Sequence, residues 1–349
     1  MTSLVTPTPS RRRHQLLRNH PIGWFILRRV GLGALLVIVV SFLVFLATNL
    51  LPGDAARAML GGRASEGQVA VVRQELGLDR PLMVRYGAWL GDLSRGDLGR
   101  SLTGGTTALS GSAGDMSARS VISIVAEPIR NTLVLGLITV ALVIPLSLLL
   151  GVLSGVRPGG RVDQIVSVLT LVGLSVPDFV VGTLLILGFA IALPWLPPVS
   201  MLAPGESPLG SPQMLVLPVL ALVIVSVGFT TRQIRAGVMR AMESDYVEMA
   251  RLNGILERRV VLRWGLRNAL APSIQTFAQI IQYLLGGVVL IEFVFDYPGI
   301  GAGFVQYVAA RDLPTVQSVA MLVAVLYIGL NILADLLVIL AIPKLRTAQ

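Results

Sequence analysis

Few residues in this sequence have the type and spacing that catalysis requires. The chain contains no cysteine, and its two histidines, His14 and His20, lie in a basic N-terminal stretch. A cysteine nucleophile, a histidine or thiolate metal site and a buried Ser-His-Asp triad are therefore excluded. Asp178 and Asp335 are the two ionisable residues that we place inside apolar segments. As an aspartyl pair they would be a remaining arrangement for hydrolysis, which the rest of the sequence does not favour.

The sequence also lacks a loop that would bind a nucleotide. A Walker A loop ends in Lys followed by Ser or Thr, whereas Lys344, the only lysine, is followed by Leu345. The glycine-rich run at 298–303, PGIGAG, follows an apolar segment, and we interpret it as a turn with close backbone packing. An ATP-driven process would therefore need an ATPase on another polypeptide.

Composition predicts an all-α integral membrane protein. Hydrophobic residues make up 54% of the chain and charged residues 13%, with a mean hydropathy of +0.78. These values are typical of membrane helices rather than of a large soluble core. The net charge of +9 is explained by arginines that flank the spans, and no aromatic-basic groove indicates nucleic acid.

The alternation of apolar segments and polar loops predicts six transmembrane helices. The run 30–51 is too long for the apolar part of a signal peptide and is predicted to be the first span. Arginines in 1–29, in the turn at 157–161 and in 232–267 place these segments and both termini in the cytoplasm. The other five spans are predicted at Thr132–Val156, Ile165–Leu193, Met214–Thr230, Ser273–Phe293 and Val316–Ile342.

These assignments divide the chain into five regions. Residues 1–29 form a cytoplasmic tail with an interfacial helix near Phe25, and 30–51 form the first span. Residues 52–130 form an external loop region, helical around Val69–Leu76 and with a flexible Gly/Ser-rich insertion at 103–120. Residues 131–342 form a core with the other five spans, and 343–349 a short cytoplasmic tail.

Polar residues inside the predicted spans suggest a pathway. Gln275, Gln279 and Gln282 form one stripe of the fifth span, which either lines a translocation pathway or holds helices together. Asp178 follows Pro177, which should kink the third span. Its carboxylate would meet an amino group of a substrate or pair with a polar neighbour.

Other residues in the spans favour helix packing. Asn331 and Asp335, four residues apart in the sixth span, are expected to tie helices together. Gly151 and Gly155 form a small-xxx-small pair in the second span, which suits close approach of another helix.

The polar, Arg-rich stretch Asp245–Pro272 organises the chain. Asp245 and Glu248 have the spacing of a helix start, where each would accept from a first-turn backbone donor, and Gly254 suits a left-handed cap. Four residues of this short helix are expected on its contact side: Tyr246, Met249, Ala250 and Asn253. A second helical run carries Arg259, Arg263 and Arg267 and is predicted to end at Pro272.

This stretch resembles the EAA loop of permease subunits in ATP-binding-cassette importers, and in detail that of the first permease of dipeptide and oligopeptide importers. The similar positions are Asp245-Tyr246-Val247, Ala250-Arg251, Gly254, Glu257-Arg258-Arg259, Leu266-Arg267-Asn268-Ala269-Leu270 and Pro272. The resemblance implies the type I importer permease fold, with the EAA coupling loop within 232–272. It also implies that Asp245–Gly254 is a coupling helix seated in a groove of a separate ATPase subunit.

The same resemblance implies the partners. They are a second, different permease, two ATPase subunits that bind ATP-Mg, an external substrate-binding protein and a peptide substrate, in a bacterial inner membrane. This chain would then be a transporter subunit and not an enzyme, with no cofactor of its own. Dipeptides, longer peptides, glutathione and nickel complexes remain open as substrates.

The stretch departs from the usual EAA pattern at two places. Leu252 and Asn253 replace the small residue and lysine that are common before the glycine, and Trp264-Gly265 replaces a usual His-Ala, so the ATPase contact would be specialised. The alternative to an ATP-driven importer subunit is a secondary transporter or channel that works without nucleotide. Such a protein would need ionisable relays across several spans, and this alternative would leave the polar loop unexplained.

Overall fold

The computed structural model describes residues 21–50, 65–75, 77, 79–101, 120–203 and 205–341, except for some side chains within helices. Within these ranges all regular elements are helical, as expected for apolar segments that must satisfy their own backbone groups in lipid. In chain order the helices are α1 (Pro21–Leu50), α2 (Glu66–Glu75), α3 (Leu82–Ser94), α4 (Val121–Val156), α5 (Arg161–Ser175), α6 (Asp178–Leu185), α7 (Gln213–Met242), α8 (Asp245–Leu252), α9 (Leu266–Val294), α10 (Ile300–Ala309) and α11 (Leu313–Ala341).

Four of the described helices, α1, α4, α7 and α11, are long and apolar enough to cross a membrane. The bent pair α5 and α6, extended by the π-helical segment Ile186–Ala192, would make a fifth. Helix α9 lies where the remaining span was predicted, but several of its side chains fall outside the described residues. The all-α membrane class is confirmed, whereas the count of six stays a prediction.

Several helices extend beyond their predicted ends because they pack on one another. Helix α4 begins at Val121 and not near Thr132, since its first turns are buried with α10 and α11 through Val121, Val125 and Tyr307. Helix α1 already begins at Pro21, so Phe25 belongs to it and no separate interfacial helix forms there. The predicted helix near Val69 is present as α2, and the predicted insertion at 103–120 lies, except for Ser120, outside the described residues.

Helix α7 is the centre of the fold. Most of it is buried, and α4, α5, α6 and α9 pack around it. Gly151 and Gly155 of α4 lie directly against it, because a Cβ atom at either position would come within 2.8 Å of Ile234 or Val238. The predicted role of this glycine pair in close helix packing is confirmed.

The third predicted span is broken at Pro177. Helices α5 and α6 meet there at an angle of 101°, with Val176 and Pro177 in extended conformations between them. Proline lacks an amide hydrogen and disfavours helical conformation in the residue before it. The predicted kink is therefore a full break, and Asp178 becomes the first residue of a new helix.

Candidate functional site

Helix α8 is short and has a well-defined end. Gly254 adopts a left-handed conformation with φ of +73°, as predicted. The Gly254 amide donates to the Arg251 carbonyl at 2.9 Å and the Ile255 amide to the Ala250 carbonyl at 3.2 Å, which is the Schellman arrangement. The chain is thereby turned sharply after Asn253.

The start of α8 differs from the prediction. Ser244 is the cap residue, and its hydroxyl donates back to the Ala241 carbonyl at 2.5 Å. Asp245 and Glu248 both lie in the first turn, but among the described residues neither carboxylate accepts a bond from a first-turn amide. The two carboxylates are stabilised there by the positive end of the helix dipole and not by capping hydrogen bonds.

One face of α8 is buried. Val247 and Ala250 are 0% and 4% exposed and pack in an apolar cluster with Val238 and Met242 of α7 and with Val260. Ala250 was predicted on the contact side and lies instead on the inner side. The reason is that α7 continues to Met242, twelve residues beyond Thr230, and covers this face.

The opposite face carries what we call the exposed stripe: Tyr246, Met249 and Leu252. Met249 is 58% and Leu252 75% exposed, and Tyr246 lies half-exposed one turn earlier. Asn253 continues the exposed side, and its amide donates to the Met249 carbonyl at 2.8 Å. A row of exposed apolar side chains on a polar loop is typical of a surface that binds another protein.

A bidentate ion pair holds the turn that follows α8. The Arg251 guanidinium donates to both Glu257 carboxylate oxygens, at 2.9 and 3.2 Å. This guanidinium holds the pKa of Glu257 below its usual range. Glu257 starts the helical run that passes through the π-helical segment Val260–Gly265 into α9, so the pair joins α8 to α9. Helix α9 also runs through Pro272, where an end was predicted.

A second ion pair fixes the same end of the bundle, and sequence reasoning missed it. Arg235 of α7 donates to the two oxygens of Asp163 of α5 at 2.5 and 2.8 Å. Asp163 is nearly fully buried and also accepts from the Gly159 amide at 2.8 Å. The sequence contains the signal, an acid and an arginine at the ends of two apolar segments, but not their pairing.

A cavity of about 650 Å³ lies among α1, α6, α9 and α11. Asp178 of α6 is at its wall, and the Tyr283 hydroxyl of α9 contacts both carboxylate oxygens at 2.6 Å. Of the three predicted pathway glutamines, Gln279 is exposed, whereas the side chains of Gln275 and Gln282 lie outside the described residues. One of the two interpretations of Asp178 was that its carboxylate pairs with a polar neighbour, and Tyr283 is such a neighbour.

Two polar side chains of α11, one acidic and one amide, were predicted to tie helices together. Asp335 of α11 forms an ion pair with Arg29 of α1, so its predicted role in tying helices is confirmed. The Asn331 amide donates to the Tyr327 carbonyl of its own helix, and the prediction that it ties helices is wrong in this structure.

Glu292 was overlooked as an ionisable residue of the fifth span. It is fully buried in α9 and accepts from the Thr132 hydroxyl at 2.5 Å and from the Gly301 amide at 2.7 Å. It thereby caps α10, and Gly299 is required for this contact because a Cβ atom there would lie 2.0 Å from the Glu292 carboxylate. The predicted close backbone packing at this turn is confirmed.

Taken together, apolar helices of spanning length and a broken helix that brings a carboxylate to a cavity define a multi-pass membrane protein. Residues 144–347 match the family "binding-protein-dependent transport system inner membrane component", and 23–135 match its N-terminal counterpart. Because the first match covers more than half of the chain, the protein belongs to this family of transporter permeases.

The similarity to individual relatives extends over almost the whole chain. A putative peptide transport system permease of Brucella abortus (strain 2308) is 35% identical over 92% of this chain and 98% of the relative. The glutathione transport system permease GsiC of Pectobacterium atrosepticum is 35% identical over 93% and 99%. The probable D,D-dipeptide transport system permease DdpB of Escherichia coli K12 is 34% identical over 92% and 97%.

Proposed function

We propose that this chain is a permease subunit of an ATP-driven peptide importer and forms half of its translocation pathway. The observation that carries the proposal is the two-sided character of α8. Its inner face is packed into the membrane helices, while Met249 and Leu252 are presented outward. The names of the relatives, which are permeases for peptides, dipeptides and glutathione, support peptides as the substrate class.

The coupling residues are those predicted from the sequence, with Leu252 added and with Ala250 and Gly254 in an internal role. Tyr246, Met249 and Asn253 contact the ATPase groove together with Leu252, and Asp245 and Glu248 flank this contact surface. Ala250 and Gly254 act from inside, by packing α8 against α7 and by turning the chain after it. Two partner ATPase subunits bind ATP-Mg, so this polypeptide makes and breaks no covalent bond.

Motion of α8 is transmitted because its attachments are short and packed. Only Glu243 and Ser244 separate α8 from α7, and the Arg251–Glu257 pair joins it to the segment that continues into α9. A groove that moves α8 therefore moves α7 and α9. Closure of the ATPases on ATP would open the pathway outward, and hydrolysis would return it to the inward-open state.

The orientation follows from the arginines. The loop that carries α8, the turn at Arg157–Arg161 and both termini face the cytoplasm of a bacterial inner membrane. The pathway is lined by Asp178, Gln275, Gln279 and Gln282 and is shared with a second, homologous permease. An external substrate-binding protein delivers the peptide to the opposite face.

The double variant Met249→Glu/Leu252→Glu tests this function. We expect normal membrane insertion, loss of co-purifying ATPase subunits and loss of substrate-stimulated ATP hydrolysis in the complex isolated through this chain. The reason is that two carboxylates would be buried without partners in an apolar groove. Leu209→Glu is the matched control, because Leu209 is 63% exposed in the predicted external loop. Retained stimulation in the double variant would contradict the proposal.

A further inference from the structure

The cavity beside Asp178 has the dimensions of a small-molecule site. Its volume of about 650 Å³ falls within the range of roughly 300–1,000 Å³ typical of ligand pockets. Helix α5 carries the chain about 22 Å from Arg161 before the break at Pro177, so Asp178 lies at a depth well away from that end of the bundle. A peptide on its way across the membrane would pass at this depth.

The break at Pro177 positions a carboxylate at this wall. Asp178 begins α6, where the helix dipole favours negative charge, and both of its oxygens contact the Tyr283 hydroxyl. Gly287 leaves the space for it, because a Cβ atom there would lie 2.9 Å from Asp178 Oδ2. The local backbone and a glycine of the facing helix thus accommodate this one acidic side chain.

The charge of Asp178 is left without a basic partner among the described residues. The four ion pairs found there involve Arg29, Arg95, Arg235 and Arg251, and none of them reaches this carboxylate. A carboxylate whose only described partners are a phenol and a helix end attracts a cation. The site is therefore selective for positive charge and against a second carboxylate.

The remaining lining is apolar or aromatic. The other wall residues that contribute side chains are Val40, Leu290, Ala320, Val323, Ala324, Tyr327 and Ile328. Such a wall favours an apolar group next to the cation, and the rings of Tyr283 and Tyr327 favour the ammonium itself.

We propose that this cavity is a binding site for the free N-terminal ammonium group of a transported peptide, with its first side chain against the apolar wall. The inference rests on the proposed import of peptides and adds the chemical class that this subunit selects. Asp178 holds the ammonium group, and Tyr283 is a positioning residue that orients the carboxylate.

Direct binding tests the site independently of transport. The full complex is placed in nanodiscs of phosphatidylcholine and phosphatidylglycerol, and the probes are Leu-Gly-Gly amide and its N-acetyl derivative. We expect the wild type to bind the free amine at least about tenfold more tightly, as for a hydrogen bond to a charged group. Asp178→Asn should bring the two affinities within about twofold of each other.

Two variants make the result specific. Asp335→Asn, which removes a carboxylate paired elsewhere, should keep the preference for the amine. Tyr283→Phe should keep it in reduced form, because the carboxylate remains. If Asp178 serves only to tie α6 to α9, the wild type would not prefer the amine, or the preference would survive in Asp178→Asn, and the inference would be wrong.

A lipid ammonium group is the other source of this chemistry. Adding phosphatidylethanolamine to the nanodiscs should leave binding of Leu-Gly-Gly amide unchanged, and competition by this lipid would overturn the assignment to peptide. The proposed function is tested separately by ATP-driven uptake in the same wild-type complex. Uptake without a preference for the free amine would reject the cavity site alone, whereas amine binding without uptake would reject the importer alone.

Discussion

Gly151 of α4 and Ile234 of α7 touch so closely that a Cβ atom at position 151 would lie 2.7 Å from the isoleucine Cγ2 atom. The branched side chain of Ile234 has little rotameric freedom in a helix and is 1% exposed, so it cannot withdraw. The approach of α4 to the central helix therefore depends on the absence of a side chain at this position.

Gly151→Ala should consequently lower the free energy of unfolding by about 1–3 kcal/mol, the usual cost of overpacking. Denaturant titration of the detergent-solubilised protein measures this change. Gly136→Ala in the same helix is the control, because no atom lies within 4 Å of a Cβ atom there and alanine favours helix by about 0.5–1 kcal/mol. Equal effects of the two substitutions would contradict the packing argument.

Gly254→Ala should destabilise the turn after α8 by about 1–2 kcal/mol, because a residue with a Cβ atom is strained at φ of +73°. Open space surrounds this glycine, so the cost is conformational and not steric crowding by neighbours. Hydrogen exchange of residues 245–255 should accelerate while the rest of the chain is unaffected. In the Gly254→Asn variant these amides should exchange nearly as fast as in the wild type, since asparagine tolerates this conformation. Faster exchange in the Gly254→Asn variant would show that Gly254 has another role.

Removal of either partner of the Asp163–Arg235 pair should cost about 3 kcal/mol, the lower end for buried pairs, because Arg235 keeps some contact with solvent. The double variant Asp163→Asn/Arg235→Gln should lose less than the sum of the two single variants, since no uncompensated charge remains. Unfolding titrations of all four proteins complete the cycle. Additive losses would show that the two side chains act independently.

The Arg251–Glu257 pair should make the turn after α8 sensitive to acid. The folded-state pKa of Glu257 is lowered, so the stabilisation is fully present above its ordinary pKa, about 4.3, and is lost as the pH falls through the lowered value. Both side chains are largely exposed, which limits the effect to about 0.2–1 kcal/mol.

Hydrogen exchange of residues 251–257 in the wild type and in Glu257→Gln measures this effect. The difference in exchange rate between the two proteins should be present at pH 7 and shrink in high salt. It should vanish once the pH falls below the lowered pKa of Glu257. A difference that persists at low pH would show that the ion pair is not its cause.

Properties that depend on local sequence were predicted well. The apolar segments, the left-handed Gly254, a bend at Pro177 and the glycine pair at 151 and 155 follow from hydropathy, backbone preference and side-chain size, although the bend is a full break. The resemblance of the 245–272 stretch to the EAA loop identified the family, which the matches over most of the chain confirm.

Prediction failed where a distant helix decides the environment. Ala250 shares a helical face with residues that are exposed, but the extension of α7 buries it. Helix α9 continues through Pro272, and Asn331 bonds within its own helix. The spacing of residues along the sequence does not encode either outcome. Glu292 was missed because its hydrogen-bond partners, Thr132 and Gly301, come from two other parts of the chain.

The sequence by itself determined that this is a membrane protein of apolar helices interrupted by a polar, Arg-rich loop at 232–272, because hydropathy and charge act residue by residue. Only the tertiary structure decided that Asp178 meets Tyr283 across 105 positions of sequence and that their contact lines a cavity. Such pairings arise from the packing of whole helices, and the spacing of residues along one helix does not contain them.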